Sequence, residues 1–143
     1  MKKFFSVLLL ALIVAFSALP AYAAEGKADV QSGTVHPTFV NIMSMAAGLS
    51  INSAGRATCT GAVNLYDDSY TVKMTVDLQK STGSGWSSVK TWVVNGKGNA
   101  GAQLSAHYYV TSGRYRVCTT ARVYNASGKL VETESAYSAE KTY

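Results

Sequence analysis

Two cysteines, two histidines, two tryptophans and three closely spaced arginines are the residues of this 143-residue chain whose types could do chemistry. Cys59 and Cys118 make an even pair that suits one disulfide in an oxidising compartment, and two cysteines without further ligands at useful spacing do not make a metal site. His36 stands beside Pro37, and His107 stands between Ala106 and Tyr108. Neither sits in a pattern that would make it a general base, and no serine lies in a Gly-x-Ser-x-Gly elbow. Asp67, Asp68, Asp77, Glu132 and Glu134 could pair as carboxylates, but a turn and an exposed strand face account for them. Asn64, Asp67 and Asp68 supply three oxygen donors, short of the roughly six to eight that calcium takes. The segment Asn95-Gly96-Lys97-Gly98-Asn99 lacks the order of a phosphate-binding loop. These residues predict no catalytic centre, no metal and no cofactor.

Binding chemistry has better candidates. Trp86 and Trp92 lie six residues apart, and unbroken alternation would place them on one face with Ser88 and Lys90. At ~3.3 Å per residue the rings would stand about 20 Å apart, too far to grip neighbouring sugar units as one platform. Tyr108 and Tyr109 are adjacent, so one should face the core and the other solvent. Arg114, Arg116 and Arg122 share a phase and could form a basic stripe against teichoic acids or anionic lipids, or a solvated face partnered by Glu132 or Glu134. Trp86, Trp92, Tyr108, Arg114 and Arg116 are the candidate ligand-binding residues.

The elements that position them begin after a leader. Lys2 and Lys3 precede an apolar run from Val7 to Leu19, and Pro20 with Ala21-Tyr22-Ala23 offers a signal-peptidase site. The run is shorter than the ~20 residues that span a bilayer, and the C-terminus has no apolar tail. Residues 1–23 therefore read as a signal peptide and the product as released to the extracellular space without a membrane anchor. Residues 24–37 are polar and patternless, a flexible segment leading into a domain over residues 38–143. Two of the thirteen basic residues belong to the leader, so eleven face eight acids and the mature charge is +3. That balance, without clustered Lys/Arg, does not point to nucleic acid.

Tyr70, Val72, Met74, Val76 and Leu78 alternate without a break against Thr71, Lys73, Thr75, Asp77 and Gln79. Such alternation is a strand with one buried and one wet face. Ser81-Thr82-Gly83-Ser84-Gly85 turns it into a return strand over Trp86–Val94. Val40–Ile51 fits a strand with a kink at Ala47-Gly48 better than it fits a helix. Arg56–Leu65, with Ala57, Cys59, Gly61 and Val63 on one face, is a second strand. Ala102–Val110, Arg114–Tyr124 and Leu130 to about Ser138 complete the set. About seven strands at regular spacing predict an all-β chain, a single antiparallel β-sandwich of immunoglobulin-like type.

The segments GLSINSAGRATCTG, YTVKMTVDLQKSTGSGWSSVKTW and SGRYRVCTTARV resemble a group of small secreted proteins of Gram-positive bacteria. The likeness covers about Thr38 to Tyr143 and rests on the Leu78-Gln79 strand end, the Trp86–Trp92 return strand and the Gly-x-Tyr-x-Val run at Gly113–Val117. It implies an immunoglobulin-like or fibronectin-like sandwich and an extracellular location, and no activity is attached to the group.

Export favours a Cys59–Cys118 bridge, which would stabilise the fold by about 4 kcal/mol in the chain-entropy model. Antibody-like domains link their two sheets in this way, with a tyrosine two residues before the second cysteine. Here that position is Arg116, and Tyr115 comes three before. Cys118 falls in phase with the arginines, so either a bulge turns it inward or the bridge lies outside the core; two free thiols are the alternative. The functional expectation is a secreted, non-catalytic binding or interaction module for a cell-wall polymer, glycan or surface protein. The alternative is a bacteriocin-like antagonist acting on competitor envelopes.

Overall fold

The structure is a computed structural model that describes residues 38–143; the expected leader, the segment over 24–37 and His36 lie outside the described residues. Eight strands run in the order β1 (Ile42–Ile51), β2 (Arg56–Leu65), β3 (Thr71–Ser81), β4 (Trp86–Lys97), β5 (Ala102–Tyr109), β6 (Arg114–Tyr124), β7 (Leu130–Tyr137) and β8 (Lys141–Thr142). Two sheets form, one ordered β1-β2-β5 and the other β4-β3-β6-β7, with the short β8 also pairing β6. All strand pairings are antiparallel. The two sheets pack face to face as the expected immunoglobulin-like sandwich, and β8 is the element that the sequence pattern did not show.

Alternation selects what goes between the sheets. Val72, Met74, Val76 and Leu78 of β3 are buried, as are Tyr115, Val117, Ala121 and Val123 of β6. From the other sheet come Ile42, Ala57, Cys59, Val63 and Leu65. The phases read from β2 and β3 are those of the fold. In β1 the phase changes earlier than expected: the register shifts between Ile42 and Ser44, and pairing is regular through Ala47 and Gly48. The flip therefore comes from a bulge at Met43, which leaves Met45, Ala47, Leu49 and Ile51 packed against the core.

A second bulge corrects the tryptophans. Gln79 pairs with Ser88 while Leu78 pairs with Lys90, so Val89 is an extra residue in β4. The extra residue reverses the phase along the strand. Trp86, opposite Ser81, faces outward; Trp92, opposite buried Val76, packs on the core. The two rings do not share a face.

The expected disulfide is absent, and both cysteines are free and buried. Alternation gives the reason. Cys59 points into the core from β2, whereas Cys118 lies between the core-facing Val117 and Thr119 and so projects from the opposite side of β6. On that outer face its register partners are Asp77 and Tyr137, and its Sγ lies 3.7 Å from Thr120 Oγ1. No bulge interrupts β6 beside β3 to turn it inward. The inward position belongs to Thr119, fully buried, whose Oγ1 has no hydrogen-bond partner. Opposite it, Gly61 of β2 gives the sheets room: a Cβ there would stand 2.6 Å from Val76 Cγ2 and 3.0 Å from Thr119 Oγ1.

Tyr115, at the start of β6, is 1% exposed and donates its hydroxyl to the Thr111 carbonyl at 2.8 Å. A buried tyrosine bonding back to the chain at the corner before this strand is a hallmark of immunoglobulin-like sandwiches. The corner is present, but the cysteine that usually comes two residues later is displaced by one and so changes face.

Candidate ligand-binding face

The hairpin turn places Trp86. Thr82 N–H donates to the Gly85 carbonyl at 2.9 Å, and Gly83 takes the positive φ of 89° that glycine tolerates, fixing Ser81 opposite Trp86. Outward-facing residues from β4, β3, β6 and β7 then meet because the strands are ordered β4-β3-β6-β7. The Arg116 guanidinium carbon lies 4.3 Å from the Trp86 ring centroid and 4.4 Å from that of Tyr137. Arg116 Nε donates to Gln79 Oε1 at 2.8 Å, which holds the plane between the rings. Arg114 lies 5.6 Å from the Trp86 centroid, pairs with Glu140 at 3.4 Å and reaches Ser81 Oγ at 3.4 Å.

These distances are within the range in which a cation gains from an aromatic quadrupole, about 0.5–1 kcal/mol at exposed sites. Four strands thus build a ring–cation–ring ladder, and the chain after β7 supplies Glu140 to hold a second cation beside it. A planar guanidinium does this better than an ammonium, since it stacks and donates laterally together. Trp86 stays half-buried and Tyr137 is 56% exposed, so the ladder is stiff but open to solvent.

Of the sequence candidates, Trp86, Arg114 and Arg116 come together. Trp92 does not join them, being turned to the core, and Tyr108 belongs to the seam between the sheets, beside β4. Arg122 is exposed further along the strand, opposite Lys73 and Thr133. Glu132 and Glu134 do not partner the arginines. Glu132 instead accepts the Val40 and Asn41 backbone N–H groups at 3.0 and 2.7 Å, which ties the start of the domain to β7. Tyr137 and Gln79 are ladder members that the sequence reading missed. An aromatic in the outward phase of the last long strand was the available signal for Tyr137; Gln79 had none beyond its own outward phase.

The other polar groups are engaged structurally. Asp67 accepts from Ser69 N–H and Oγ at 2.8 and 2.6 Å, and these bonds hold its carboxyl below the usual range. Asp68 accepts from the Asn99 backbone at 2.9 Å, and Asn64 donates to the Asn99 carbonyl at 2.7 Å. The three oxygen donors that are too few for calcium therefore fasten loops. Asp77 accepts from Thr91, and His107 Nδ1 lies 3.2 Å from Thr58 Oγ1 on the outer face of the three-stranded sheet. Among the described residues, no group of three or more His, Cys, Asp or Glu side chains could hold a metal ion. No protein-family model matches the chain, and no curated protein matches it.

Proposed function

We propose that the chain is exported and acts outside the cell as a non-catalytic binding module for surface polymers or glycans, with the ladder as its recognition face. The observation that carries this reading is the Trp86–Arg116–Tyr137 stack beside Arg114 on an exposed sheet. Aromatic faces suit sugar rings, and the two guanidinium groups suit acidic substituents on a polymer. A face preformed by packing and by the Gln79 bond loses little freedom on binding.

The test is retention of the purified protein by insoluble bacterial cell walls. Trp86→Ala and Arg116→Gln should each weaken retention about tenfold, the scale of ~1.4 kcal/mol. Lys73→Gln, on the same sheet face but away from the ladder, should leave it unchanged. Equal retention of all three variants would remove the ladder from the reading. Clearing of a lawn of neighbouring bacteria by the protein would favour the antagonist instead.

A further inference from the structure

A cleft of about 160 Å³ opens where the edge of one sheet meets the edge of the other, lined by Lys80 of β3, Val89 of β4, Tyr108 and Tyr109 of β5, and Thr111 and Tyr115 around the corner into β6. The bulge supplies one of its walls: Val89 is the residue that β4 does not pair, and it is 40% exposed at the cleft. Tyr108 is the register partner of buried Ala57 and so has the core phase, yet it is 37% exposed because β5 is an edge strand there. Lys80 likewise pairs with buried Tyr115, and its Nζ lies 5.6 Å from that ring and 3.2 Å from Thr111 Oγ1. None of the lining residues is acidic, and among the described residues Lys80 forms no ion pair. Its ammonium has three donors and a full charge, answered in the cleft by one hydroxyl and one ring face.

We infer that this cleft is a subsite for one acidic sugar residue, a six-membered ring bearing a carboxylate, within a polysaccharide. The chemistry matches part by part. Lys80 supplies the cation for the carboxylate, Tyr108 and Val89 supply apolar surface for the C–H face of the ring, and Thr111 supplies a hydroxyl beside the cation. The cleft is smaller than the roughly 300 Å³ at which small-molecule pockets begin, which limits its occupant to one ring of a longer chain. Lys80 precedes Ser81, which Arg114 of the ladder contacts, so the cleft and the ladder lie on the two sides of the same strand end.

The inference rests on the reading of the protein as a polymer binder, but it can fail alone. Calorimetric titration of the full chain with an oligogalacturonate should show binding, while a neutral oligosaccharide of equal length should bind at least tenfold more weakly. Lys80→Gln should remove that preference for the acidic oligomer, and Tyr108→Ala should weaken binding several-fold; circular dichroism establishes that each variant is folded. If Lys80→Gln does not fold, two-dimensional NMR of the unaltered protein replaces it, with oligogalacturonate expected to shift Tyr108 and Thr111 amides first. Arg116→Gln separates the two ideas, since the acid preference should persist in it even where cell-wall retention falls. Equal binding of neutral and acidic oligomers, shifts confined to the ladder, or binding of an acidic peptide in place of the sugar would each overturn the subsite.

Discussion

At the scale of single residues, the two thiols differ in kind from a bridged pair. Burial pushes the Cys59 thiol up to about 11. A group whose pKa is raised by folding stabilises the native state while it remains protonated. Its contribution is complete below the unfolded value of roughly 8.5 and disappears as pH rises toward the folded value. The denaturant midpoint should therefore fall between about pH 8.5 and 11, and fall less steeply in Cys59→Ala than in the unaltered protein. Mass spectrometry gives an independent check: alkylation in denaturant without reductant should add two labels, and native protein should add them slowly. Thr119 carries the opposite imbalance, a buried hydroxyl with no partner. Thr119→Val keeps the shape and removes the unmet bond, so stability should rise by about 1 kcal/mol in urea unfolding. A serine- and threonine-rich sequence gives no hint that this one threonine is internal; only its phase beside Val117 and Ala121 does.

At the scale of the strand, β3 was legible because nothing interrupts its alternation. Val76 is 0% exposed and faces Gly61, whereas Thr75 faces outward between Val93 and Thr120. Val76→Asp should cost on the order of 5 kcal/mol, comparable to the whole stability of a small domain. Thr75→Asp should cost under about 0.5 kcal/mol. Chemical denaturation of the two variants checks the phase directly, and equal midpoints would contradict it. The phase of β4 was not legible in the same way. Trp86 and Trp92 are an even number of residues apart, and only pairing with β3 reveals that Val89 is not counted in the ladder of bonds. In β1 the composition around Ala47-Gly48 suggested a kink, while the sheet places its irregularity at Met43, where pairing with β2 shifts. Bulges are settled between strands, and a single strand's sequence carries little record of them.

At the scale of the molecule, strand order does what no local pattern could. Gln79, Trp86, Arg116 and Tyr137 come from four different strands, and the order β4-β3-β6-β7 makes them neighbours. The sandwich itself was readable from regular strand spacing, and so were the three candidate residues that meet in the ladder. Their assembly was not, because it depends on which strands adjoin. Val89 bears on how the fold tolerates changes in chain length. It is a slack residue: removing it leaves every other β4 residue its existing partner on β3 and converts an interrupted strand into a continuous one. A one-codon deletion should therefore be tolerated, with Trp86 still outward and cell-wall retention through the ladder preserved. The same deletion takes away one wall of the seam cleft, so preference for an acidic oligomer should drop in the binding titration. A lineage could thus shed the proposed acidic subsite and keep the proposed recognition face by losing a single triplet, with no substitution anywhere in the chain.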